Sequence, residues 1–191
     1  MIWVASEGVV YKDFNKDIHY IKDLNNIDIV KYFAGVDFGW EHFGSIVIVG
    51  KDINNNYYLI KEYAYQHKDI EQWIDIAKDI KTQYGNINFY CDHARPDYID
   101  KLRRNNIRAI NANKNILEGI SMIASLFKTN KLLILEDNVD VFKKEIYNYV
   151  WKSGKDEPIK QNDDVLDSLR YAIYTDAKLD RNKFNRNKYG I

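Results

Sequence analysis

Three β-prone runs follow one another with no helical stripe between them, and beyond them helical stripes alternate with short apolar runs. The three runs are residues 32–38, 44–50 and 57–65. They are joined by Gly39-Trp40-Glu41-His42-Phe43 and by Lys51-Asp52-Ile53-Asn54-Asn55-Asn56, and the second connection suits a hairpin. Ile70, Trp73, Ile74, Ala77 and Ile80 then recur at helical spacing within 69–84, and Gly85 closes that segment. Residues 88–91 read as a short strand, Pro96 opens a helix to about Asn105, and 107–110 return as a strand. Helices over 115–128 and 139–151 enclose the apolar run 132–135. A polar loop over 152–162 leads to a last helix, 163–177, with Val165, Leu166, Leu169, Ala172 and Ile173 as its buried stripe. This order predicts an α/β fold: a mixed sheet of three antiparallel strands followed by parallel ones, flanked by helices. Residues 1–31 read as an extended N-terminal lead-in, 32–177 as the folded domain and 178–191 as a basic tail.

Of the 191 residues, 46% are hydrophobic and 14% aromatic, which suits one packed domain and argues against a disordered chain. A single cysteine excludes an internal disulfide and a cysteine-based zinc site, and points to a reducing compartment. No apolar run approaches the roughly 18 residues of a membrane span, and the first residues lack a basic segment followed by an apolar one. The expectation is a soluble, intracellular protein without a membrane partner. Formal net charge is zero, a poor overall signature for a nucleic-acid binder, so the distribution carries the argument. Lys101, Arg103, Arg104, Arg108 and Lys114 share a stretch that contains no acid. In the tail, Lys178, Arg181, Lys183, Arg186 and Lys188 stand against Asp180 alone. Such runs are as often solvated faces, so they predict phosphate contact only if they lie beside the chemistry.

The chemistry is carried by acids at element boundaries. Asp37 and Asp92 each end an apolar run, where a side chain leaves the sheet, and Asp163, Asp164 and Asp167 open the last helix. Carboxylates brought together from such distant positions repel one another unless a cation lies between them, and hard oxygen ligands suit magnesium or manganese. On the helix, Asp164 and Asp167 are three apart and share a face, as do Asp163 and Asp167 at four. Taken singly, each acid has an ordinary explanation. Asp163 and Asp164 suit a helix cap, and Asp37 and Asp92 suit turns. Cys91 reads as a small core residue, Trp40 as a lid over the core or a base-stacking surface, and Glu62 as an exposed strand position or an outer carboxylate.

These segments resemble the C-terminal nuclease domain of phage terminase large subunits. Gly35-Val36-Asp37-Phe38-Gly39-Trp40 is similar to that family's first acidic motif. Tyr90-Cys91-Asp92-His93-Ala94, a basic helix and Ala109-Ile110-Asn111-Ala112-Asn113-Lys114 resemble the second. Glu145–Trp151, the polar loop and Asp163-Asp164-Val165-Leu166-Asp167-Ser168-Leu169-Arg170-Tyr171-Ala172 resemble the third. Glu7–Phe14 looks like the segment that enters such a domain. The resemblance implies a ribonuclease H-like fold with its first strand central and its fourth alongside, which brings Asp37 and Asp92 together. It implies a two-metal endonuclease that cuts double-stranded DNA with little sequence preference, using Mg²⁺ or Mn²⁺. Asp37 would bridge the ions, with Asp92, Asp164 and Asp167 completing the site. From the residues themselves, Arg103, Arg104 and Lys114 of the basic stretch and His93 beside Asp92 are candidate DNA contacts, Lys114 being equally suited to a surface salt bridge, and His42 in the loop after Asp37 is a candidate to border the metals. The implied partners are a packaging ATPase domain, a portal protein and a small terminase subunit, in the host cytoplasm and transiently at the procapsid portal.

Two departures stand out. Many members of that family carry His where Asp164 stands. The chain also has no Gly-x-x-x-x-Gly-Lys-Ser/Thr loop, so the packaging ATPase is not in this sequence. Other readings are a Holliday-junction resolvase, which shares the Asp-x-x-Asp-x-Leu pattern, a sugar-kinase or actin-like phosphotransferase, and a non-catalytic portal or capsid docking module. Bulky Trp40 after Gly39 and the short chain argue against the phosphotransferase, and the collected acids argue against the docking module.

Overall fold

The computed structural model of the chain describes residues 8–189, without the side chains of Lys183 and 185–189. Its centre is a sheet of seven strands in the order β1-β7-β4-β3-β2-β5-β6. The long strands β2 (Ile29–Asp37), β3 (Gly44–Asp52) and β4 (Tyr57–Tyr65) form an antiparallel meander. On one side β5 (Asn88–Cys91) adds parallel to β2, and β6 (Arg108–Asn111) adds parallel to β5. On the other, β7 (Leu132–Leu135) adds parallel to β4, and the short β1 (Tyr20–Ile21) adds parallel to β7. This is the mixed sheet that the order of elements predicts, with β2 between β3 and β5.

Both faces of the sheet are covered, which explains why β3 is buried at every position rather than alternating. On one face Phe33, Val47, Val49, Leu59 and Tyr90 pack against α4 (Ile116–Lys128), α5 (Asp140–Asn148) and α6 (Asp164–Tyr189). On the other, Ala34, Val36, Ile46, Ile48 and Phe89 pack against α2 (Ile70–Tyr84) and α3 (Pro96–Arg104). Local signals set the helix ends. Asp69 and Gln72 form a reciprocal capping box at the start of α2, Asn115 accepts the Glu118 N–H at the start of α4, and Pro96 opens α3.

The structure departs from the sequence expectation at both ends. Residues 1–7, where the lead-in begins, lie outside the described residues. Val9, Val10 and Tyr11 are buried, Val10 N–H donates to the Tyr149 carbonyl at 2.8 Å, and α1 (Lys16–His19) leads into β1. Three consecutive apolar residues find a place under Tyr149 and Phe127, a long-range contact with no local signature. At the other end α6 does not stop at Ala177. Asp180 lies between Lys31 and Lys51 at 3.1 Å from each, and Lys178 pairs with Glu118 at 3.1 Å, so the next turn is tied to β2, β3 and α4.

α6 lies tight against the sheet at Gly35. A Cβ there would fall 1.8 Å from the Ser168 carbonyl oxygen, so only glycine lets the α6 backbone rest on β2. Beside it the Ser45 and Ser168 hydroxyls are 2.6 Å apart, and Ser45 Oγ also donates to the Asp164 carbonyl at 2.9 Å. Gly35→Ala should therefore lower stability by about 1–3 kcal/mol or more, because the helix must shift off the sheet. Urea unfolding measures this, and a neutral substitution would show that the contact is not tight.

Candidate metal centre

The sheet places Asp37 and Asp92 side by side. Val36 pairs with Cys91 in the parallel β2–β5 ladder, and the Asp92 N–H donates to the Val36 carbonyl at 2.9 Å. Both acids thus leave adjacent strands at their carboxyl ends, where open α/β sheets commonly bind ligands. Asp37 also pairs with Ser45 on β3, the residue whose hydroxyl holds the Asp164 carbonyl. That chain of contacts sets the first turn of α6, with Asp164 and Asp167, over the same end of the sheet.

The carboxylates sense one another strongly. Burial pushes the Asp37 carboxyl up to about 8, with further contributions from the charges of Asp167, Asp92, Asp164 and Asp163. Burial and the neighbouring charges of Asp167 and Asp164 raise Asp163 to about 6. Asp164 is raised by burial and by Asp167, while His42 and the Phe43 N–H oppose the rise. The two outer acids each have a cation. Lys114 Nζ lies 2.5 Å from Asp92 Oδ1, and Arg170 Nη2 donates to Asp167 Oδ1 at 2.7 Å. Among the described residues no three His, Cys, Asp or Glu side chains stand together so as to hold an ion as they are placed. The donor set is nevertheless all hard oxygen, in a place where added carboxylate charge is disfavoured, and this fits a divalent cation.

Several sequence expectations change here. Asp163 supplies the first carbonyl of α6, accepting the Asp167 N–H at 2.7 Å, but its side chain is not needed as a cap. The N–H groups of Val165 and Leu166 both donate to Glu145 Oε2 at 3.0 Å. Glu145 reaches them from α5 and is itself 2% exposed, and burial holds its carboxyl up at about 8 despite those two hydrogen bonds. Glu62 is neither an exposed strand residue nor part of the cluster. It accepts the N–H groups of Val141 and Phe142 and caps α5. Trp40 is 52% exposed and covers no core; it stands edge-on to His67. Cys91 is buried, as its apolar strand suggests.

Of the basic residues, Lys114 is at the cluster, whereas Arg103 donates to the Ala109 carbonyl at 3.0 Å and pairs with Asp100. Arg104, His93 and His42 are exposed. Sequence reasoning missed the roles of Glu145 and Arg170. The available signals were an acid within the apolar stripe of α5, beside Phe142 and Ile146, and an arginine three residues after Asp167.

Residues 34–175 match the family described as the terminase RNaseH-like domain, and the chain belongs to that family. It is 22% identical over 186 residues to the terminase large subunit of Escherichia phage T5, covering 88% of this chain and 42% of that protein. The large terminase of a thermophilic bacteriophage superposes with a TM-score of 0.79 at 26% identity, over 93% of this chain and 47% of that one. The large terminase nuclease domain of bacteriophage SPP1, solved with bound Mn, has a TM-score of 0.66 at 20% identity, over 83% of this chain and 97% of that domain. The chain thus spans a little under half the length of the first two of these proteins.

The raised acids make a pH prediction. A carboxyl whose folded value exceeds its unfolded one retains a proton that the unfolded chain has released, so its contribution to stability is complete below about 4 and is lost as pH rises. For Asp37 that loss runs from about 4 through about 8. Metal-free protein should therefore melt at a lower temperature at pH 8 than at pH 5. Asp37→Asn should flatten the difference without removing it, since Glu145 and Asp163 act in the same direction. Melting curves in chelator check this, and an unchanged slope in Asp37→Asn would contradict it.

Proposed function

We propose that this domain is a divalent-metal-dependent endodeoxyribonuclease of a phage DNA-packaging terminase, hydrolysing double-stranded DNA with little sequence preference. The observation that carries the reading is the convergence of Asp37, Asp92 and the α6 acids at the carboxyl end of the sheet, set by the β2–β5 ladder and by the Ser45 contact to the start of α6. Asp37, Asp92, Asp164 and Asp167 are the groups that would hold Mg²⁺ or Mn²⁺, two ions by the family resemblance, with Asp37 between the strand acid and the helix acids. Such ions, when held there, would activate a water and stabilise the leaving oxygen of the phosphodiester. The bound Mn in the SPP1 nuclease domain supports this choice of cation.

The chain's own residues orient the reaction. β2 and β5 fix Asp37 and Asp92 on rigid strand ends, while Glu145 and Ser45 hold the first turn of α6 in register above them. Lys114 sits on Asp92 and offers its ammonium to a phosphate oxygen of the bound strand. Arg104 and His93 are exposed, and with Arg103 they are our further candidates for DNA contact beyond Lys114. Delivery of DNA falls to partners that the family resemblance implies: a packaging ATPase domain, a portal protein and a small terminase subunit, meeting at the procapsid in the host cytoplasm.

Plasmid degradation tests the activity. Wild-type protein should cut with Mn²⁺ or Mg²⁺ and not with chelator, and Asp37→Asn should fall to the chelator background while keeping its fold. Cleavage by folded Asp37→Asn would refute the assignment. DNA binding has a separate readout, because each cation that displaces a counterion adds about 0.9 to the salt slope on duplex DNA. Replacing Arg103, Arg104 and Lys114 together should weaken binding on all sequences and flatten its dependence on salt. An unchanged salt slope would place the DNA on another surface.

A further inference from the structure

Arg170 is a poor stability device. It is 2% exposed, and its Nη2 donates to Asp167 Oδ1 at 2.7 Å. Its Nε and Nη1 are buried without a hydrogen-bond partner among the described residues. The guanidinium lies over the Tyr171 ring at 4.7 Å, and the hydroxyls of Tyr11 and Tyr149 are within electrostatic reach of both Arg170 and Asp167. A buried cation with unmet donors costs folding free energy, and replacing such an ion pair by apolar side chains of similar volume is often neutral or stabilising. An ordinary helical pair three residues apart would sit in solvent.

A role toward Asp167 accounts for the arrangement. Asp167 shares its surroundings with Asp37, Asp163 and Asp164, all of the same sign. A fixed positive charge engages one of its carboxylate oxygens, Oδ1, and so restrains how the group is turned. The space for the arginine is cut from α4. At Gly119 a Cβ would stand 2.7 Å from Arg170 Cγ and 2.8 Å from Cδ, so any larger residue would displace the stem. Two helices are therefore shaped around one guanidinium whose ionic partner is an acid of the candidate centre.

We infer that Arg170 is the positioning residue of the metal centre, orienting Asp167 for the cation, and that Gly119 is the clearance on which this depends. The inference rests on the reading of Asp167 as a metal ligand. Partners that orient a ligating carboxylate affect metal affinity about 10–100-fold when removed.

The test is a Mn²⁺ titration followed by calorimetry, with melting curves in chelator. Arg170→Met should remain folded, with a chelator melting temperature close to or above that of the wild type, yet bind Mn²⁺ about 10–100-fold more weakly. Arg170→Lys should recover part of the loss. Gly119→Ala should weaken Mn²⁺ binding although it changes no ligand and favours the helix. If Arg170→Met fails to fold, Gly119→Ala and Arg170→Lys decide the question. Unchanged Mn²⁺ affinity in the folded variants would overturn the inference, provided that Asp37→Asn loses affinity in the same assay. Unchanged affinity in Asp37→Asn as well would instead remove the metal centre itself, and the role of Arg170 with it.

Discussion

The α6 backbone rests directly on β2 where Ser168 meets Gly35, and the position of every α6 carboxylate follows from that contact. Three further restraints keep the helix in register. Ser45 and Glu145 take its first turn, the former through the Asp164 carbonyl and the latter through the N–H groups of Val165 and Leu166. Farther along, Asp176 is fully buried, accepting from Tyr90 at 2.7 Å and pairing with Lys31 at 2.7 Å. A helix pinned to the sheet at both places cannot slide by a residue, so Asp164 and Asp167 stay over Asp37. The restraints are mostly polar and directional, which suits a site where misplacement of about 1 Å in a supporting group is enough to impair function.

The same geometry creates an electrostatic conflict. Five acids converge at the carboxyl end of the sheet, and among the described residues the direct ion pairs they make are Asp92 with Lys114 and Asp167 with Arg170. Asp37, in the middle, has no such partner among the described residues, and it is the carboxyl pushed farthest from its usual range within this cluster. A divalent cation would remove the conflict at that point. The fold thus carries a destabilising feature at the place where chemistry is proposed, as expected where function rather than stability has shaped a site.

Much of this was legible in the sequence, for identifiable reasons. The strands ending at Asp37 and Asp92 are apolar runs that stop at an acid, and the stripe Val165, Leu166, Leu169 fixes which face of the last helix is buried. Local patterns of that kind survive folding. What could not be read depends on contacts between distant residues. Val9–Tyr11 look like an unpatterned lead-in until Tyr149 and Phe127 are placed above them. Asp163 has the right residue type and position for a side-chain cap, yet a glutamate 18 residues earlier occupies the same N–H groups. The continuation of α6 past Ala177 likewise depends on Lys31, Lys51 and Glu118, none of them near it in sequence.

The central claim is that these carboxylates form one metal centre with Asp37 at its middle. Anomalous diffraction from crystals soaked in Mn²⁺ tests it most directly. The account predicts manganese peaks in contact with Asp37, flanked by Asp92 on one side and by Asp164 and Asp167 on the other. Manganese bound elsewhere, with the Asp37 carboxylate untouched, would contradict it.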